Sequence, residues 1–212
     1  MAKALADFLL KIFGSKYIVV LITSMFPLIE LKGAIPIGEM YEINLFLTAL
    51  IAYLGSTIIS VAEFFLLIPI FNLLKKIGFI RKIIERIEGI FKRKAAKIAQ
   101  KTNGSVEAEA RRIMMISLFA FVAVPFPVTG VWTGTAIAVF LGMKFRESVL
   151  PIAVGNLVAG AIITLLTFFF RAYVDVIIYI LFVVALIMLI VFIIKIIRSK
   201  PEENEVNDEL KR

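Results

Sequence analysis

The sequence predicts an all-α, polytopic membrane protein made of two inverted repeats, each an amphipathic helix, a re-entrant hairpin and a transmembrane helix, followed by a C-terminal transmembrane helix. Three observations predict it. Of the 212 residues 61% are hydrophobic, with a mean hydropathy of +0.98, whereas soluble domains hold about 45–50% apolar residues. Apolar runs at 45–71, 149–170 and 176–194 each approach or exceed the roughly 20 residues that span a hydrocarbon core as a helix. Shifting the chain by 100 residues lays Phe26-Pro27 on Phe126-Pro127, Ile37 on Ile137, Leu50 on Leu150, Gly55 on Gly155 and Leu66 on Leu166 without a gap.

Residues 2–14 put Ala4, Leu5, Phe8, Leu9, Ile12 and Phe13 on one helical face, with Lys3, Asp7 and Lys11 opposite. Such a pattern suits a helix lying in the membrane interface or the first turns of a span. Residues 16–26 are apolar and meet Pro27, and a Gly-, Pro- and charge-rich stretch leads on to the 45–71 span. In the basic segment 75–112, Ile80, Ile83, Ile84, Ile87, Ile90, Phe91 and Ile98 recur at helical spacing. They predict a second interfacial helix ending near Asn103-Gly104. A short apolar run from Ile113 to Val124 meets a second Pro/Gly-rich stretch, then the 149–170 span, a helix over 173–198 and a polar tail at 199–212. The reading is one membrane domain over 1–198, with repeats of about 2–74 and 80–171.

Each Pro/Gly stretch arrives after only 11 or 12 apolar residues, too few for a full crossing. A hairpin that enters, turns and leaves on the same side fits that length, because broken backbone at membrane depth is tolerated where protein or a wet cavity surrounds it. The alternative makes 16–26 and 113–126 segments of ordinary crossings and puts the C-terminus outside. Charge supports the hairpins. The segment 75–112 carries 12 Lys or Arg against 4 Glu, the whole net charge of +8, and the positive-inside rule places it in the cytoplasm with Lys144, Arg146 and 195–200. The localisation expected is therefore a multi-pass place in the cell membrane. With the basic excess confined to one loop between apolar segments, nucleic acid is not an expected partner.

The chain has no Cys and no His, which removes disulfides, thiolate nucleophiles, imidazole ligands and the usual general base. Neither a P-loop nor a metal-ligand cluster is present, so no enzyme activity, catalytic residue, cofactor or ATP motor is expected. Chemistry concentrates on Glu63 instead. Lys75 follows it by 12 residues, so the carboxyl sits roughly 18 Å from the basic boundary, near mid-membrane. A charge there costs at least a few kcal/mol unless a partner, water or a proton compensates. An exchangeable proton is the functional reading; a carboxyl bonded to a neighbouring helix is the structural one.

In the first motif, Pro27 to Glu39, Glu30 and Lys32 are two residues apart and would diverge by about 200° in a regular helix. Pro27, Gly33 and Pro36 make an unwound hairpin turn plausible, and an unwound stretch would line both side chains along a pathway. Glu39 and Glu42 read as solvated boundary residues. In the second motif, Pro125 to Thr135, the turn falls on Pro125, Pro127 and Gly130, and Thr129 and Thr133 either bind substrate or satisfy the broken helix. Trp132 reads as an interface anchor. Asn156, inside the second span, is suited to hydrogen bonding across helices. Arg171 and Asp175, four apart, suggest a surface pair.

The paired motifs PLIELKGAIPIG and PFPVTGVWTG resemble those of the small multidrug export protein family of prokaryotic membrane proteins. Its first motif is similar to P-x-x-E-[LR]-[RK]-G-A-I-P and its second to P-x-P-G-T-G-x-[WY]-T-G. The resemblance spans about residues 16–170, and the chain departs from it with Val128 where Gly is usual. That family in turn is similar to the DedA membrane proteins, which implies paired re-entrant hairpins and lipid or undecaprenyl-phosphate transport. The expected function is that of a proton-linked secondary transporter or exporter of small amphipathic or cationic molecules. Glu63 would carry the proton, and Glu30, Lys32, Thr129, Thr133 and Asn156 would line the pathway. A lipid-headgroup translocase using Lys32 or Arg171 and a non-transporting scaffold are the alternatives. Expected partners are membrane lipid and a small-molecule or lipid substrate, with homo-oligomer formation left open.

Overall fold

The computed structural model describes residues 2–27, 29–74, 105–126 and 129–171, with scattered residues in 76–96 and 176–191. Seven continuous helices are described: α1 (Ala2–Phe13), α2 (Lys16–Met25), α3 (Glu30–Met40), α4 (Leu45–Leu74), α5 (Val106–Ala123), α6 (Val131–Phe140) and α7 (Phe145–Phe169). Two of them, α4 and α7, are long and apolar enough to cross a membrane; at 1.5 Å per residue they extend roughly 45 and 38 Å. The expected C-terminal helix, the end of the basic segment near Asn103-Gly104 and the 199–212 tail fall largely or wholly outside the described residues.

Polar caps set boundaries that apolar runs alone misplace. Helix α5 starts seven residues ahead of its apolar run because Ser105 accepts a hydrogen bond from the Ala108 amide at 3.3 Å, with Glu107 and Glu109 in the first turn. A hydroxyl cap and acidic residues at a helix N-terminus are both favourable. Helix α7 likewise starts at Phe145, where the Lys144 amide donates to Glu147 Oε2 at 3.2 Å. Between α1 and α2 the axis bends by 103° at Gly14 and Ser15, with Gly14 at φ +68°. Residues 2–13 thus form a helix of their own, not the first turns of a straight span.

Two turns 100 residues apart are built alike. The Ile43 amide donates to Gly38 O and the Met143 amide to Ala138 O, at 3.2 and 3.0 Å. The residue before each, Glu42 and Gly142, has φ of +55° and +67°. Helices α4 and α7 start two residues after these turns, at Leu45 and Phe145. Packing crosses between the halves: α3 lies against α7, α6 against α4, and α4 against α7. Val20, Leu31, Ile35, Ala52 and Ile163 form one core cluster, and Leu118, Val122, Val131, Ala138 and Ile152 another. Glycine makes the close approaches between helices possible. A Cβ at Gly155 would come within 2.7 Å of the Phe119 carbonyl oxygen, and one at Gly55 would strike Ser24 Oγ and the Leu21 carbonyl.

Candidate functional site

The two Pro/Gly-rich breaks meet and interlock. The first falls between α2 and α3, where Pro27 is exposed, and the second between α5 and α6, where Pro125 lies. Gly33 and Pro36, expected in the first turn, are instead inside α3. Unwinding is confined to the residues before Glu30. Pro127 lies outside the described residues.

Glu30 is the first residue of α3 and has φ +50°, a left-handed conformation that costs a non-glycine residue on the order of 1 kcal/mol. This departure from helical backbone turns its carboxylate onto the Lys32 amine, 3.3 Å from Oε2. Both side chains are buried, Glu30 at 7% and Lys32 at 5% residue exposure. Lys32 Nζ also donates to the carbonyls of Phe126, at 3.0 Å, and Thr129. It therefore caps backbone freed by the second break. The other carboxylate oxygen, Oε1, accepts from the Trp132 amide at 3.2 Å, in the first turn of α6. A carboxylate at a helix N-terminus satisfies unpaired amides and complements the helix dipole. The contact requires Gly130, because any Cβ there would overlap the Glu30 carboxylate.

Trp132 closes the interlock from the other side, its indole Nε1 donating to the Met25 carbonyl at 3.0 Å. It pins the tip of one break to the other, a role different from the interface anchor that a lone tryptophan suggests. Thr129 Oγ1 has Val124 O and Phe126 O at 2.8 and 2.9 Å as acceptors for its single proton, and Thr133 Oγ1 accepts from the Gly130 amide at 3.1 Å. Of the two readings open for these threonines, the contacts favour satisfaction of the broken helix.

Beneath the interlock runs a polar seam between α4 and α7. Thr48, Ser56, Ser60 and Glu63 are all buried on α4, as the spacing 56, 60, 63 requires of one helical face. Across it, Asn156 Nδ2 donates to Ser56 Oγ at 2.8 Å and Thr57 Oγ1 at 3.3 Å. Ser56 and Asn156 are the residues that the 100-residue shift superimposes. Glu63 is 4% exposed, and its Oε2 has no hydrogen-bond partner among the described protein atoms; the same holds for Asn156 Oδ1 and Thr135 Oγ1. The interior thus holds two carboxylates in different states: both oxygens of Glu30 are engaged, while Glu63 carries one without a donor.

Two further positions differ from expectation. Glu39, read as a solvated boundary residue, has a side chain only 11% exposed and pairs with Arg171. The pair forms because α3 and α7 end side by side, a proximity no sequence spacing reveals. Asp175, the partner expected for Arg171, lies outside the described residues, while Glu42 is exposed as expected. The roles of Trp132, Ser56 and Ser60 were also absent from the sequence reading. The 100-residue shift could have flagged Ser56 as the counterpart of Asn156.

No curated protein and no solved structure matches the chain. A family model described as "Putative small multi-drug export protein" matches residues 30–162, from the carboxylate that opens α3 to the middle of α7. That match covers α3, the second break and the polar seam from Thr48 to Asn156, so the chain belongs to the small multi-drug export protein family.

Proposed function

We propose that the protein is a proton-linked secondary transporter exporting small amphipathic or cationic molecules, with Glu63 as its proton-exchanging group. In this reading the halves are inverted repeats, and α2–α3 and α5–α6 are re-entrant hairpins whose tips meet at mid-membrane. The observation that carries it is Glu63, a carboxylate 4% exposed inside a spanning helix with one oxygen lacking a donor. A lone carboxylate at that depth has to be compensated by a proton, a cation or water. Exchange between the first two is the chemistry of coupling a proton to a cationic cargo. Ser56, Ser60 and Asn156 supply a polar path beside it. Glu30 and Lys32 serve as the hinge that holds the hairpin tips together, with Thr129 and Thr133 tying down the backbone of the second tip.

A phosphate-carrying translocase would need a free cation, and both cations considered for it are engaged: Lys32 with Glu30 and two carbonyls, Arg171 with Glu39. The family description favours export of small molecules.

In proteoliposomes with a pH gradient, Glu63→Gln is expected to cut proton-coupled transport of lipophilic cations more than about tenfold while the protein stays folded. Undiminished transport by folded Glu63→Gln would discard the proposal. Topology has its own test. With single cysteines in the Cys-free chain, Ser105→Cys and Asn204→Cys are expected to react with an impermeant maleimide from the same side. Labelling from opposite sides would mean that 113–126 belongs to a full crossing.

A further inference from the structure

We propose that the seam between the halves is closed by two chemically different latches: an ionic one, Glu39 with Arg171, at one end and an aromatic one, Phe71 with Phe140, at the other. The proposal rests on the transporter reading for its purpose, but its geometry is independent of any cargo. Glu39 stands at the end of α3 and Arg171 just beyond α7. Phe140 ends α6 and Phe71 lies in the last turn of α4, their rings 5.7 Å apart and edge to face at 73°. Phe71 and Arg171 are 100 residues apart, and residue 140 answers to residue 40, next to Glu39. The same two places of each half therefore carry a latch, made of charge in one case and of rings in the other.

The latches lie at opposite ends of the molecule. Phe140 is five residues ahead of Phe145, which opens α7, and Arg171 follows Phe169, which closes it. The 24 steps from Phe145 to Phe169 correspond to roughly 36 Å. Between the ends, the hairpin tips are held by Lys32 and Trp132. A rocking of the halves about those tips would open either latch while the other stays shut, the motion that alternating access needs.

The chemistry makes the two ends respond differently. The Glu39 side chain is 11% exposed and its Oε2 has no hydrogen-bond partner among the described atoms, whereas Arg171 is 59% exposed. A held carboxylate with a retractable guanidinium is sensitive to salt and competing cations. An edge-to-face ring pair is not. The Lys/Arg distribution puts the aromatic end at the cytoplasmic face and the ionic end outside.

The test uses Ser60→Cys as a reporter in the Cys-free chain, labelled in proteoliposomes by an impermeant maleimide added to either side. Arg171→Glu is expected to raise labelling from the Glu39 side about threefold to fivefold, the population shift that one partly exposed pair supports. Adding Glu39→Arg should restore the original rate. Phe71→Ala should raise labelling from the other side only, and 1 M salt should act only at the ionic end. Should Arg171→Glu misfold, the salt response of the reporter protein alone decides. Labelling indifferent to both the charge reversal and salt would overturn the proposal, as would a charge swap that fails to restore it in folded protein. Labelling that responds in the reporter, with no export by the protein that keeps Ser60, would leave the latches standing and remove the transporter reading.

Discussion

Lys32→Met is expected to destabilise the protein by roughly 3–5 kcal/mol, the cost of stripping one partner from a buried ion pair. Three acceptors lose their donor at once: Glu30 Oε2 and the carbonyls of Phe126 and Thr129. The carboxylate would remain buried with only the Trp132 amide to hold it. Thermal unfolding in detergent would measure the loss. Glu30→Gln added to Lys32→Met should recover some of it by removing the uncompensated charge, since a neutral pair leaves no buried ion. A solvated pathway lysine would behave differently. Its removal would cost less than about 1 kcal/mol, and a melting temperature unchanged by Lys32→Met would show that the interlock does not hold the tips.

Gly130→Ala is the second large effect, expected at about 3 kcal/mol, the upper range for overpacking a close contact. Gly130 has φ −160°, extended backbone open to any residue, so the cost is steric and not conformational. The new methyl would overlap the Glu30 carboxylate. That group is the end of a flexible side chain but cannot swing aside freely, because Lys32 and the Trp132 amide hold both of its oxygens. A specific suppressor follows. Glu30→Ala removes the obstructing atoms, so Gly130→Ala with Glu30→Ala should be no less stable than Glu30→Ala alone. Additive losses measured by unfolding would show that the glycine is needed for some other reason.

These two residues also show how far the sequence could be read. Gly130 and Lys32 were both singled out from motif composition, one as a turn and the other as a pathway cation. Beyond the neighbouring Glu30, what Lys32 touches lay 94 and 97 residues away, and what Gly130 touches lay 100 away. Hydropathy found α4 from its first residue and the core of α7, because a membrane span is set by local apolar length, but it missed the first turns of α5 and α7, where caps are polar. The register between halves was legible in the ungapped shift of 100, and the structure repeats it: α4 and α7 start 100 residues apart, at 45 and 145, and α3 and α6 start 101 apart, at 30 and 131. The contact of Ser56 with Asn156 was latent in that shift. Glu39 was misjudged because a carboxylate beside a loop is usually solvated, and only the adjacent ends of α3 and α7 enclose it.

Taken by itself, the order of residues determined the helical class, the two long apolar helices and the neighbourhood of the two breaks, because each depends on chain-local properties: apolar length and proline and glycine chemistry. Tertiary structure alone decided which polar groups are spent and which are left over. Hydrogen bonding between the tips commits Glu30, Lys32, Trp132 and the second-motif threonines to holding the fold, while Glu63 keeps an oxygen without a donor. The physical reason is that buried donors and acceptors are stable only when paired, and the partners of Glu30, Lys32, Trp132 and Asn156 include groups in the opposite half of the chain.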